Sequence, residues 1–226
     1  MRMQNVAGTI ALALVATSAA AQDPVAVSPR AYTVEIDNQW VRVVRLKLAP
    51  QETSGPHQHP NTVGVLLTDA HVKVTNADGG VQEIIRKAGQ VLYQPANAQA
   101  HSEQNISDQP FEAVLVELKP GAAGGSAPVS LDPVKLDPEH HPVVLENDRV
   151  RAIRTILEPH LKSPLHEHPH YVVVYLTELH TTMTMADGRK VDNPRRPGEV
   201  AWRDALKHET ENIGERTAVE IQVELK

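Results

Sequence analysis

His57-Gln58-His59 and, 109 residues later, His166-Glu167-His168 are the stretches that decide what this chain is. Residues i and i+2 of an extended strand project to the same face, so each pair can offer two imidazoles to one ion while Gln58 and Glu167 point away. Each pair is answered downstream by one more histidine, His101 in the first case and His208 in the second. A lone His-x-His on a strand is usually two solvated side chains. Its duplication in register, each copy with a third histidine, points instead to two metal sites, His57, His59 and His101 forming one and His166, His168 and His208 the other. Neutral imidazole suits iron, copper, zinc or nickel.

The duplication runs well beyond these histidines. Val41-Arg42 recurs as Val150-Arg151, Arg45 as Arg154, Leu48-Ala49-Pro50 as Leu157-Glu158-Pro159, Asp78-Gly79 as Asp187-Gly188 and Gly89 as Gly198, all at the offset of 109. After Gly198 the second copy is two residues shorter, so His101, Asn105 and Glu117-Leu118-Lys119 match His208, Asn212 and Glu224-Leu225-Lys226 at an offset of 107. The deletion falls just before the third histidine, which predicts two similar but unequal sites.

Within each copy, short runs rich in Val, Leu, Ile and Thr, such as residues 41–48, 63–68, 72–75 and 113–118, are separated by turn residues. Asp78-Gly79 and Asp187-Gly188 are hairpin signals, and Pro197-Gly198 suits a type II turn. No run keeps a helical period. The expected fold is all-β: two tandem antiparallel barrels over residues 32–119 and 141–226 that form an intramolecular pseudo-dimer. A Pro/Gly/Ala-rich stretch at 120–140 reads as a linker and residues 22–31 as a flexible lead-in.

Residues 1–21 have the composition of a secretory signal: Arg2, an apolar stretch over residues 6–16, and Ala19-Ala20-Ala21 before an expected cut between Ala21 and Gln22. The apolar stretch is shorter than the ~20 residues that span a bilayer. Removal of 21 of the 226 residues leaves 205, expected in the periplasm or outside the cell without membrane insertion. The chain has no cysteine, which excludes disulfides, thiolate metal sites and cysteine nucleophiles. Its net charge is −6, and basic residues are scattered, so nucleic acid is not an expected partner. A small-molecule substrate is expected, acting on a monomeric pseudo-dimer or a homo-oligomer.

Taken with its glycines and prolines, the pattern resembles the cupin superfamily, specifically a bicupin. The first motif of that superfamily has the form G-x5-H-x-H-x3,4-E-x6-G. Gly55-Pro56-His57-Gln58-His59 and Leu165-His166-Glu167-His168 match its histidines, while the leading glycine spacing does not fit. The second has the form G-x5-P-x-G-x2-H-x3-N. Gly89 to Pro95 and His101 to Asn105 match it, with Asn97 in place of the second glycine; in the second copy Gly198, His208 and Asn212 match without the proline. The resemblance covers nearly all of the chain after residue 21. It implies one or two divalent transition metals per chain, iron(II) foremost, with copper, zinc, nickel or manganese as the alternatives. Many cupins add a glutamate five residues after the second histidine, but Gly64 and Val173 stand there. Cupin oxalate oxidases and decarboxylases depend on that glutamate, so the resemblance leads toward three-histidine cupins, among which are iron(II) dioxygenases of diketones, thiols and aromatic diols. Metal-assisted lysis, isomerisation or hydrolysis is the alternative, as is a non-catalytic metal- or ligand-binding role.

Other residues carry two readings. Arg45 and Arg154 either pair with Glu117 and Glu224 inside the fold or clamp a substrate carboxylate. Tyr93 and Trp202, aligned across the copies, are either core plugs or pocket walls, and Tyr93 is also a candidate proton shuttle. Gly64 leaves room for a substrate in the first copy, which makes that copy the candidate active site. His170 reads as an exposed rim histidine, His71 and His180 as structural, and His140, His141 and His160 as solvated.

Overall fold

From Asp23 onward the chain passes twice through one series of elements. The first pass is helix α1 (Pro24–Val27) and strands β1 (Tyr32–Asp37), β2 (Val41–Leu48), β3 (Thr62–Leu66), β4 (Ala70–Asn76), β5 (Val81–Arg86), β6 (Val91–Gln94), β7 (His101–Asn105) and β8 (Phe111–Leu118). The second is α2 (Pro133–Leu136), β9 (Val143–Glu146), β10 (Val150–Leu157), β11 (His166–His168), β12 (Tyr171–Tyr175), β13 (Leu179–Met185), β14 (Lys190–Arg195), β15 (Val200–Arg203), β16 (Leu206–Asn212) and β17 (Ala218–Leu225). This is a computed structural model that describes residues 22–96, 99–121 and 129–226; the expected leader and Asn97 lie outside them. No helix among the described residues is long and apolar enough to cross a membrane.

Each pass closes into a two-sheet antiparallel barrel. Order β1-β2-β8-β3-β6 faces β5-β4-β7 in the first, and β9-β10-β17-β12-β15 faces β11-β16-β13-β14 in the second. The valine-rich strands are buried on both faces, and their two faces have different partners. Val44, Leu46, Leu66, Val72 and Phe111 fill the first barrel, and Leu157, Tyr171, Tyr175 and Leu179 the second. The opposite faces form a third core between the barrels, where Val41, Val43, Val63 and Val116 pack with Val150, Val172, Ile221 and Val223. Each such side chain contributes about 1.5–3 kcal/mol on burial, which makes the pair one unit and bears out the pseudo-dimer.

Two arginines tie the barrels together. Arg45 Nη2 donates to the Gly198 carbonyl and Arg154 Nη2 to the Gly89 carbonyl, each at 2.5 Å, across the pseudo-twofold relation. Gly89 has φ +78°, and a Cβ there would lie 2.9 Å from Arg154 Nη2, so glycine serves both the turn and the docked guanidinium. Arg45 also pairs with Glu35 and Glu112. It is therefore neither a substrate clamp nor the partner of Glu117. Strand register sets Arg42 opposite Glu117 and Arg151 opposite Glu224, so these two arginines, and not Arg45 and Arg154 as expected, pair with the buried glutamates, at 2.6 and 2.7 Å.

The segments before each barrel also differ from expectation. Residues 22–31 hold a helix rather than a flexible lead-in, and residues 133–136 of the expected linker hold its repeat. Asp23 and Asp132 cap them by accepting from Val25 and Val134, with proline at the first helical position. Four residues are too few to show a helical period, but Asp23-Pro24-Val25 and Asp132-Pro133-Val134 keep the offset of 109. Asn105 and Asn212 pin the turns after β7 and β16 by donating to the carbonyls of Leu48 and Leu157.

Candidate metal centres

His57 and His59 leave the turn after Gly55 side by side, and His57 pairs through its backbone with His101 on β7. In the second barrel the same pairing is a full strand, with His166 opposite His208. All six histidines are buried, and in each set one ring nitrogen per residue lies within 4.8 Å of the others. Ring centroids stand 4.6–5.7 Å apart in the first set and 4.5–5.5 Å in the second.

What the other ring nitrogens do fixes which atoms face the centre. His57 Nδ1 lies 2.8 Å from the Gly55 carbonyl and His166 Nδ1 2.7 Å from the Pro164 carbonyl. His59 Nδ1 lies 2.9 Å from Glu117 Oε1, and His168 Nδ1 2.7 Å from Glu224 Oε1. A ring whose Nδ1–H is so engaged presents the Nε2 lone pair, the form that binds metal. Among the described residues, Nε2 of His168 and of His208 are buried without a partner, as is Nδ1 of His101. Buried polar atoms are seldom left so, and an ion at each centre would satisfy them. The donor sets therefore fit a divalent metal in each barrel.

The carboxylates behind the histidines are themselves held. Glu117 accepts from Arg42, which pairs with Asp23 at the cap of α1; Glu224 accepts from Arg151, which pairs with Asp132 at the cap of α2, 3.0 Å away. A four-member relay thus runs from each helix cap to a ligand. The two short helices, which gave no periodic pattern, are anchored by the same groups that aim the metal site.

Burial holds His57, His101, His166, His168 and His208 neutral. It lowers His57 to about 4 and His208 to about 2, lowers His101 and His166, and puts His168 well below the ordinary 6.5. Burial also pushes Glu224 up to about 7, against the pull of Arg151. Because the folded pKa values of the histidines lie below their unfolded ones, the unfolded chain binds more protons between pH 6.5 and 4. Their contribution to stability is complete above about pH 6.5 and is lost as pH falls through that window. Glu224 and Glu220, raised by burial, contribute in the opposite direction below about pH 7, but the five histidines outnumber them, so the urea midpoint of chelator-treated protein should fall as pH drops below 6.5; a midpoint that rises there would contradict this.

Two residues beside the histidines were not legible beforehand. Tyr32, fully buried at the start of β1, places its hydroxyl 3.1 Å from His57 Nε2 and donates to Glu103 Oε2 at 3.1 Å. Its counterpart at the offset of 109 is His141, which is buried rather than solvated, with its ring 5.5 Å from His166. The counterpart of Glu103 is Thr210, whose hydroxyl contacts His208 Nδ1 at 3.1 Å. The centres thus share ligands and differ in neighbours.

They differ more in the chambers they face. Leu46, Gly64, Leu66, Phe111 and Leu115 line a mostly apolar cavity of about 140 Å³ beside His59, with Glu103, Arg86 and Gln94 as its charged and amide groups. The matching cavity in the second barrel is about 30 Å³. Tyr171, Val173 and Tyr175 fill it where Thr62, Gly64 and Leu66 leave space, and Thr155, Glu220 and Gln222 replace Leu46, Ala113 and Leu115. Gly64 lines the larger of these two chambers.

Tyr93 and Trp202 do not face either chamber. Both pack on the core between the barrels; the Tyr93 hydroxyl donates to Asn61, and Trp202 stacks on His170, which also stacks on Trp40. Their strands turn these side chains outward, so Tyr93 is no proton shuttle and Trp202 no pocket wall, and His170 is an element of the interface. His71 and His180 are exposed and pair with Glu83 and Asp192, matching structural positions. His140 is held by Asp137 at 2.7 Å.

No protein-family model matches the chain, and no curated protein matches it in sequence. Among solved structures it is similar to AerE from Microcystis aeruginosa, with 13% identity and a TM-score of 0.60 over 86% of this chain and 97% of that one. It is also similar to a variant of oxalate decarboxylase from Bacillus subtilis, with 16% identity and a TM-score of 0.57 over 82% and 68% of the two chains. For salicylate 1,2-dioxygenase from Pseudoaminobacter salicylatoxidans the values are 12% and 0.53, over 82% and 68%. At these identities the likeness concerns the fold. The chain is a bicupin in fold, two cupin-type barrels in tandem, each with a three-histidine group suited to a divalent metal.

Proposed function

We propose that the chain is a metal-dependent oxidoreductase that uses dioxygen on a small, largely apolar organic molecule bound in the first barrel, and that it acts outside the cytoplasm, as residues 1–21 imply. The observation that carries this is the apolar chamber beside His59, present in one barrel and filled in the other. A divalent metal held by His57, His59 and His101, iron(II) above all, would supply redox chemistry and open coordination positions where two reactants are held together. The chain's own residues prepare the rest. Leu46, Leu66, Phe111 and Leu115 exclude water and hold an apolar body against His59. Glu103 lines the chamber with Tyr32 Oη donating to its Oε2 from behind at 3.1 Å, so its carboxylate is where a polar group of the substrate would meet the protein.

That hydroxyl-carboxylate pair also favours a second reading, metal-assisted lysis or hydrolysis, because it supplies the acid and base which that chemistry needs. Oxygen uptake separates the two. Iron-loaded protein, screened against diketones and aromatic diols, should consume oxygen with substrate and stop under anaerobic conditions, and the zinc-loaded form should be inactive. Turnover that persists without oxygen, or with zinc alone, would overturn the oxidoreductase in favour of lysis or hydrolysis.

A further inference from the structure

The second barrel's chamber is not merely a smaller copy of the first. At matching positions, Leu46 becomes Thr155, Leu115 becomes Gln222, Ala113 becomes Glu220 and Gln94 becomes Arg203, all lining one closed space with His208. Thr155 Oγ1 and Gln222 Oε1 are buried there with no hydrogen-bond partner among the described residues, and each residue is only 4% exposed. Gln222 cannot hide its oxygen by rotating the amide, because Nε2 donates to Glu220 Oε1 at 2.7 Å. The first barrel shows that this framework tolerates apolar residues at those positions. Polar atoms left unsatisfied in a closed space imply an occupant that satisfies them.

Size and charge say which occupant. A space of about 30 Å³ holds roughly two or three water-sized groups, so the ligand has about four non-hydrogen atoms at most. Among the described residues Arg203 hydrogen-bonds to neutral groups, Asn193 Oδ1 at 3.2 Å and Tyr175 Oη at 3.4 Å, and makes no ion pair. With a divalent ion on His166, His168 and His208, that guanidinium outweighs the single carboxylate of Glu220, so the space favours an anion. Gln222 Oε1 is an acceptor and needs a donor. We infer that the second metal centre binds a small oxyanion that keeps one O–H group, of the size and form of hydrogen carbonate, with Arg203 on its charge and Gln222 Oε1 and Thr155 Oγ1 on its hydrogen-bonding edge.

Cobalt(II) reports such binding without any assay of turnover. In the full chain carrying His57→Ala and His59→Ala, which confines metal to the second centre, hydrogen carbonate should change the visible cobalt spectrum saturably. Chloride at equal ionic strength should not, and formate, which lacks the O–H, should bind more weakly. Calorimetry on the doubly metal-loaded protein with native ligands gives the same comparison should that variant not fold. Thr155→Val, nearly isosteric and placed where no partner is lost, should weaken hydrogen carbonate about tenfold, and Gln222→Leu, which restores the first barrel's residue, should weaken it further. An unchanged spectrum and no binding heat would overturn the inference. So would chloride or formate binding as tightly as hydrogen carbonate, or both variants binding it like the parent.

Discussion

Glu224→Ala is expected to weaken metal binding at the second centre by about 10–100-fold and to destabilise the metal-free protein by about 3 kcal/mol. Glu224 is the joint of the relay. Its Oε1 orients His168 through Nδ1, and its Oε2 accepts from Arg151, which Asp132 steadies from the cap of α2. Without it the imidazole loses the contact that fixes its tautomer, and Arg151, half-buried, keeps one carboxylate instead of two. The loss is separable from general damage because the first centre has its own relay through Glu117 and Arg42. Competition with a chelator should show one site weakened and one unchanged, and urea unfolding the loss of stability. Metal affinity within about twofold of the parent and an unmoved midpoint would show that the carboxylate does not orient the ligand.

Gly64→Val is expected to lower kcat/KM by about tenfold or more while leaving the fold intact. A Cβ at Gly64 meets only Leu115 Cδ2, at 3.7 Å, so the backbone accepts it. Valine is favoured in a strand and already stands at the matching position, Val173 of β12, where the chamber has closed to about 30 Å³. The two isopropyl methyls project into the space where the substrate body would lie, so substrate fit suffers and stability does not. Melting temperature and metal content should match the parent. Unchanged kcat/KM would place the substrate elsewhere.

Much of this was legible because the chain states it twice. Residues 41–48 form β2 end for end, and the duplicated His-x-His with its distant third histidine is the arrangement found in both barrels. What could not be read depended on pairings that identity at a fixed offset does not display. Arg45 matched Arg154 as well as Arg42 matched Arg151, and only the register of β2 on β8 decides which arginine meets Glu117. Tyr32 and His141 occupy matching positions but share no chemistry, so the repeat concealed them. Tyr93 and Trp202 share a matching position but not the expected role, because alternation along β6 and β15 does not say which face is the barrel's interior when the other face packs on a second core.

Metal content of the purified full chain tests the account most directly. The parent should hold two equivalents of divalent metal. His57→Ala with His59→Ala, and His166→Ala with His168→Ala, should each remove one equivalent and leave the other. A parent without metal after loading, or double variants that each retain both equivalents, would contradict the assignment of these six histidines as two metal centres.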